Sequence, residues 1–213
     1  MKQTIRGYEV DVEVLEDYLG RGLSSGIGDP QNQVCVEAAI CLAMGLRDAG
    51  DNPPCTAPSV RAYKIRLNDS CWSSPAARSA GMRDLAYAQI GTRGVLDEEK
   101  WSRRLAELTI KELLVDLGRR VGAPEEILAD CRENGTETAA RGLYGWCFTA
   151  NAAAANAAYA AYAAADAEAA YAAAYAAAFY AAEAVKLPED HYLLLSASLA
   201  LRALQEQEFG VEA

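Results

Sequence analysis

The sequence predicts an all-α protein, a multi-helix bundle with a long alanine-rich helix or a helical hairpin toward its C-terminal side. Three observations lead there. Apolar residues recur at helical spacing through most of the 213 residues. Helix-start signatures recur at Pro30, Pro58, Pro75, Asp97, Pro124 and Pro188. Residues 150–184 contain 24 alanines in 35 positions, and alanine has the highest helix propensity. No stretch requires a sheet.

Taken in order, Asp11 to Leu19 sets Val14, Leu15, Tyr18 and Leu19 on one helical face, with Gly20 as its stop. The alternation of Val10, Val12 and Val14 also allows a strand instead. Gly22 to Pro30 reads as a loop, with Asp29 as N-cap and Pro30 as the first residue of a helix reaching Met44. A short helix follows from Pro58 to about Leu67, then a turn over 68–74. Ser74-Pro75 opens a helix that ends at Gly91. Asp97 opens a longer one that buries Trp101, Leu105, Leu108, Leu113 and Leu117 and fades near Gly118 to Gly122. Pro124 starts a short helix stopping near Asn134-Gly135, and Pro188 starts the last, with Leu194, Leu195, Leu199 and Leu201 apolar.

As one helix, the alanine segment would be about 50 Å long. Its bulky residues form no single stripe. Asn151, Tyr159, Tyr162, Asp166 and Tyr180 fall on one side, and Tyr171, Tyr175 and Phe179 on the other. Either two neighbours pack on it or it folds back as a hairpin. Asp166 and Glu168, with no Leu, Ile or Val in the segment, argue against a membrane span. The composition divides the chain into a helical domain over 1–149 with the candidate ligand site, and an alanine/tyrosine-rich section over 150–213.

Six cysteines show no two-residue spacing of a zinc or redox motif. No secretory leader is evident, so reduced structural cysteines and a cytoplasmic location are expected. The net charge of −10 argues against long nucleic acids. Within 58–83, however, Arg61, Lys64, Arg66, Arg78 and Arg83 face only Asp69, a local surplus of +4.

That surplus coincides with unusual helix starts. An N-terminal turn carries partial positive charge and bare N–H groups, commonly answered by acids. Asp97-Glu98-Glu99, Pro124-Glu125-Glu126 and Pro188-Glu189-Asp190 follow that rule. The helices from Pro58 and Pro75 have no acid in the first turn and place Arg61 and Arg78 fourth. The start at Pro30 offers only the amides Gln31, Asn32 and Gln33 after Asp29. Helix N-termini with arginine suit a phosphate. Arg61, Lys64 and Arg78 are thus expected to hold phosphates and Trp72 to stack on a base. Asn68, Asp69 and Gln31 to Gln33 would read polar edges, and Ser73 and Ser74 supply hydroxyls. The plainer alternative has Ser74 as an ordinary cap, Trp72 in the core, and Arg61 or Arg78 paired with Asp69, Asp84 or Glu37.

Enzymatic signals are weaker. The single histidine, His191, excludes a His-pair metal site and reads as a helix-end residue. Cys35 reads as a core thiol. Gly26-Ile27-Gly28 lacks the Lys-Ser or Lys-Thr of a phosphate loop. The carboxylates of Glu37 and Asp69 are a pair of the kind that assists hydrolysis, but nothing local demands it. No cofactor is expected.

Three segments, 28–39 (GDPQNQVCVEAA), 67–74 (LNDSCWSS) and 77–91 (ARSAGMRDLAYAQIG), with the Ala/Tyr/Asn-rich tail, resemble a group of hypothetical proteins encoded by bacteriophages. The resemblance covers about residues 20–117 and carries no activity of its own. By analogy with phage proteins that sequester nucleotide immune signals, it implies a non-enzymatic counter-defence protein in the host cytoplasm. Such a protein would hold a cyclic dinucleotide or cyclic ADP-ribose. The alternative from a different class is an interaction protein that self-associates, or binds a host protein, through the Ala/Tyr helix.

Overall fold

A computed structural model describes residues 1–46, 50–150, 152–162, 176–177, 180–181 and 190–209. The class is mostly α. The elements are strands β1 (Lys2–Ile5) and β2 (Tyr8–Asp11), then helices α1 (Val12–Arg21), α2 (Val36–Ala43), α3 (Pro58–Asn68), α4 (Pro75–Ala88) and α5 (Glu98–Leu108). A π-helical segment, Thr109–Leu114, joins α5 to α6 (Val115–Val121). α7 (Glu125–Asn134), α8 (Glu137–Ala150), α9 (Ala152–Tyr162) and α10 (Asp190–Gln205) complete the set. Among the described residues no helix is long and apolar enough to cross a membrane.

The chain divides into two compact units, Met1–Glu98 with Leu204–Ala213, and Glu99–Ala203. The step at 149/150 is therefore a change of residue type, whereas packing partners change at Glu98/Glu99.

In the first unit, β1 and β2 pair antiparallel with Ile5 opposite Tyr8. The sheet that the sequence did not require is this hairpin. The period-two pattern around Val10 does mark a strand, but Asp11 caps α1 by accepting from the Glu13 N–H, so helix begins at Val12. At the hairpin turn, Arg6 and Gly7 both take positive φ, the geometry of a two-residue turn that matches strand twist. The Arg6 guanidinium donates to the Ile90 carbonyl at 2.9 Å and reaches those of Tyr87 and Ala88, a cation at the C-terminal end of α4. It also stands 5.4 Å from the Phe209 ring centroid.

Helix α2 packs on α1, α3 and α4, and Leu15, Leu19, Val36, Ile40, Val60, Tyr63, Leu67, Met82 and Leu85 form the buried apolar centre. The expected helix from Pro30 starts instead at Val36, with Cys35 as its cap. Asp29 does accept from the backbone N–H of Gln31 and the side chain of Asn32, but in a turn. The Asp29 N–H returns to the Gln33 carbonyl at 2.8 Å and Gly28 bridges Val34, closing 23–35 into a compact loop.

In the second unit, Trp101, Leu105, Leu113, Leu117, Leu128, Leu143 and Tyr192 are buried. The single long helix expected from Asp97 is interrupted by the π-helical turn at 109–114. Helix α8 lies in a stretch with no proline or multi-acid start to announce it. The Tyr144 and Tyr159 rings stand 5.6 Å apart, so α8 and α9 fold back on each other rather than running as one rod. Asn151, Asp166, Glu168, Tyr171, Tyr175 and Phe179 lie outside the described residues, as does the path of the alanine segment over 163–175. α6 and α7 approach closely at Gly118, where a Cβ would sit 2.4 Å from Leu128 Cδ2.

Gly28 has φ of +79°, and a Cβ there would stand 2.2 Å from the Gln33 carbonyl oxygen. The left-handed conformation alone costs an L-residue about 1–2 kcal/mol, and the oxygen belongs to backbone that cannot swing away. Gly28→Ala is expected to lower the unfolding free energy by more than that conformational cost. Urea denaturation of the two proteins reads the difference.

Candidate functional site

The site forms around the C-terminal end of α3 and the start of α2. The last carbonyls of α3 need donors, and three side chains supply them. Trp72 Nε1 donates to Leu67 O at 2.8 Å, Ser70 Oγ to Arg66 O at 3.0 Å and Arg78 Nε to Asn68 O at 2.6 Å. Arg78 also donates to Leu23 O at 2.8 Å and Ser70 O at 3.4 Å, fastening the 23–35 loop to the helix. Arg78 therefore serves the negative end of the preceding helix rather than an anion at the start of its own. It is 8% exposed and Trp72 6%, so neither presents a face to a ligand.

The acid-free start of α3 is answered from a distance. The Ser59 N–H donates to Glu98 Oε2 at 2.7 Å, across 39 positions of sequence. The start of α4 is capped by Ser74, which accepts from the Ala77 N–H at 3.1 Å. Arg61 is bound to Asp51 through both its carboxylate and its carbonyl, each at 2.7 Å. Lys64 is fully buried, with its Nζ 3.5 Å from Glu37 Oε1 and 3.4 Å from the Leu85 carbonyl. The three cations expected to hold phosphates, Arg61, Lys64 and Arg78, are thus engaged within the protein.

Asn68 and Asp69 do reach a site. Asn68 Oδ1 accepts from the Val36 N–H at the start of α2, while its Nδ2 donates to Ser24 O and Asp69 Oδ1. Asp69 Oδ1 also accepts from the Gly26 N–H at 2.7 Å, so the glycine loop gives that amide to a carboxylate. Between these groups lies a cavity of about 200 Å³, lined by Gly26, Ile27, Cys35, Val36, Glu37, Asp51, Ile65, Asn68 and Asp69. Its lining includes three acidic residues and no cationic one, but Glu37 among them is fully buried, with neither carboxylate oxygen accessible. Arg61 and Lys64 pair with two of those carboxylates, Asp51 and Glu37, without joining the lining.

No family model matches the chain, and no curated protein or solved structure matches it.

Glu37 is the unusual member of the lining. It is fully buried, and neither carboxylate oxygen has a partner in hydrogen-bond geometry among the described residues. Gln89, also fully buried, lies beside it with both amide atoms in the same condition. Burial pushes the Glu37 carboxyl above its ordinary 4.5, opposed by Lys64, and burial lowers Lys64, opposed by Glu37. Burial likewise pushes the Cys35 thiol up to about 11, which leaves it a poor nucleophile. Among the described residues no group of three His, Cys, Asp or Glu is arranged to hold a metal ion.

The remaining expected contacts lie elsewhere. Gln31 and Asn32 are exposed within the Asp29 turn, and Gln33 Nε2 donates to Arg21 O at 2.7 Å. Ser73 is exposed, and none of Trp72, Ser73 and Ser74 lines the cavity. The sequence reading noticed Glu37 with Asp69 but missed Asp51 and Ile65, which no local motif marks. In the second unit, His191 stands at the start of α10 with Nε2 3.3 Å from Asp116 Oδ2, a helix-end position as expected.

Removing one partner of a buried ion pair leaves an uncompensated charge and costs about 3–5 kcal/mol, whereas replacing both with apolar groups is often neutral or stabilising. Lys64→Met is expected to lose that amount near neutral pH, and Glu37→Met/Lys64→Met to recover most of it. The pH sign follows from Glu37. Its folded pKa lies above the unfolded 4.5, so the native state binds more protons and stability falls as pH rises through that range. Lys64→Met removes the opposing cation, so its deficit relative to wild type should widen as pH rises above the unfolded 4.5 in denaturant melts.

Proposed function

We propose that the protein is a non-enzymatic binding protein for a small polar molecule held in the cavity between the 23–35 loop, α2 and α3. The observation that supports this most is the cavity itself, a hollow of about 200 Å³ walled by residues of the loop, α2 and α3. The adjoining Asp51, Asn68 and Asp69 supply the few convergent polar groups that give such sites orientation.

The volume narrows the ligand. About 200 Å³ is below the roughly 300–1,000 Å³ of pockets that enclose drug-sized molecules. A cyclic dinucleotide or cyclic ADP-ribose would place only one polar portion here, such as a ribose, with its phosphates outside. The cations expected to hold those phosphates are committed to Asp51, Glu37 and backbone carbonyls. Counter-defence by sequestration, the role suggested by the phage resemblance, then requires a ligand recognised by its donors rather than by its charge.

A second reading has its own observation. Phe148 is 69% exposed and Tyr159 52%, and Tyr144 stands within aromatic contact distance of both. Such a cluster suits self-association or a protein partner. If it does, Phe148→Ser/Tyr159→Ser should reduce the mass found by light scattering while leaving the helical circular dichroism unchanged.

For the cavity, Ile65→Trp fills the space without touching Glu37. A ligand at about a hundredfold over its Kd adds about 2.7 kcal/mol to stability. In a thermal-shift panel of nucleosides, polyols and amines, at least one class should raise the wild-type midpoint and leave Ile65→Trp unmoved. The bound molecule should be recovered chemically unchanged. A panel that shifts both proteins equally, or neither, rejects the cavity as the site.

A further inference from the structure

We infer that Asn134 is a chemical modification site, a deamidation switch that the last turn of α7 holds shut. Asn134 and Gly135 form the single Asn-Gly step among the 213 residues. A glycine after asparagine leaves the backbone nitrogen free to approach the side-chain amide, because no Cβ stands in the way. The Gly135 nitrogen, once it has lost its proton, adds to Asn134 Cγ, and the Cγ–Nδ2 bond breaks to release ammonia. The five-membered imide that results takes up one water, which opens it at either carbonyl and leaves aspartate or isoaspartate. Water is the only co-reactant needed, and Asn134 is exposed to it.

The fold opposes ring closure at each atom involved. Asn134 is the last residue of α7, and a helical ψ turns the following nitrogen away from Cγ. The Gly135 N–H donates to the Cys131 carbonyl at 3.0 Å, which retains the proton that has to leave. The Asn134 amide is engaged as well, with Nδ2 donating to Asp130 Oδ1 at 2.6 Å. Gly135 has φ of +62° and is buried against Lys111 and Glu107, where a Cβ would stand 2.6 Å from Lys111 Cε. The nitrogen therefore has little room to swing while α7 is closed. All of these restraints belong to the final turn of a helix of 10 residues, and helix ends open first. Modification then proceeds through the frayed fraction, and its rate follows how often that turn opens.

The product acts back on the same turn. A carboxylate at 134 replaces an N–H donor with a negative charge facing Asp130, at a helix end whose partial charge is also negative. Isoaspartate in addition lengthens the main chain by one carbon, which the close fit of Gly135 against Lys111 does not accommodate. Thr136, in the same connection, caps α8 by accepting from the Ala139 N–H at 3.3 Å, so the disturbance reaches both helices. Because ammonia is lost, the step does not reverse, and it marks the chains whose α7–α8 junction has opened.

The test incubates the full chain in mildly alkaline buffer, folded or in concentrated urea. Peptide mass spectrometry follows residue 134 through the exchange of an NH group for oxygen, and elution separates isoaspartate from aspartate. In urea Asn134 should convert faster than any other asparagine of the chain, and in the folded protein about tenfold or more slowly than in urea. Asp130→Ala, at an exposed position, releases the side-chain amide. It should raise the folded rate severalfold and leave the urea rate unchanged. Asn134→Asp, which reproduces one product, should lower the thermal midpoint. Failure of Asn134 to convert in urea removes the site altogether. Equal rates in folded and unfolded protein show that α7 holds nothing shut, and so does an Asp130→Ala rate that is unaltered when folded or altered equally in urea. A midpoint unchanged in Asn134→Asp overturns the effect on the junction.

Discussion

The ion pair of Glu37 and Lys64 sets the terms for the rest of the first unit. Two charged groups sit entirely out of water, an arrangement whose desolvation cost is only repaid by good geometry and further hydrogen bonds. Here the geometry is loose and the further bonds to Glu37 are missing. A protein selected only for stability has a cheaper solution in two apolar residues.

The surroundings hold this feature in place. Arg78 connects the Leu23, Asn68 and Ser70 carbonyls, so the 23–35 loop cannot drift from the end of α3. Asn68 then bridges the loop to the first turn of α2, and Asp69 fixes Gly26. Each of these side chains is polar and each has its bonds within the protein. The contrast with Glu37 and Gln89 is what gives their unmet hydrogen-bonding capacity its weight.

Much of the fold was legible because its signals are local. Pro58 and Pro75 begin their helices, and Pro124 directly precedes α7, since a proline at that position loses no hydrogen bond. Pro30 misled because Asp-Pro serves a turn as readily as a helix start, and the choice was made by Gly28 pairing with Val34. The electrostatic anomaly at the start of α3 was real, but its resolution was not local, whereas α4 takes an ordinary local cap from Ser74. Glu98 lies 39 positions from the amide it caps, and Arg78 turns to the carbonyls of another helix. Sequence spacing reports what a helix end lacks, not which distant group will supply it. The cavity was half visible for the same reason, with Asn68, Asp69 and Glu37 noticed and Asp51 and Ile65 not.

The first unit is assembled from two separated stretches, because Leu204 to the C-terminal residue rejoin Met1–Glu98 after the second unit has intervened. During synthesis from the N-terminus, the intervening unit is therefore complete before its host. Phe209, which lies against Arg6 at the turn of the opening hairpin, is made long after its partner. The domain that carries the cavity thus closes only after the intervening unit has been synthesised, even though most of its own sequence comes first.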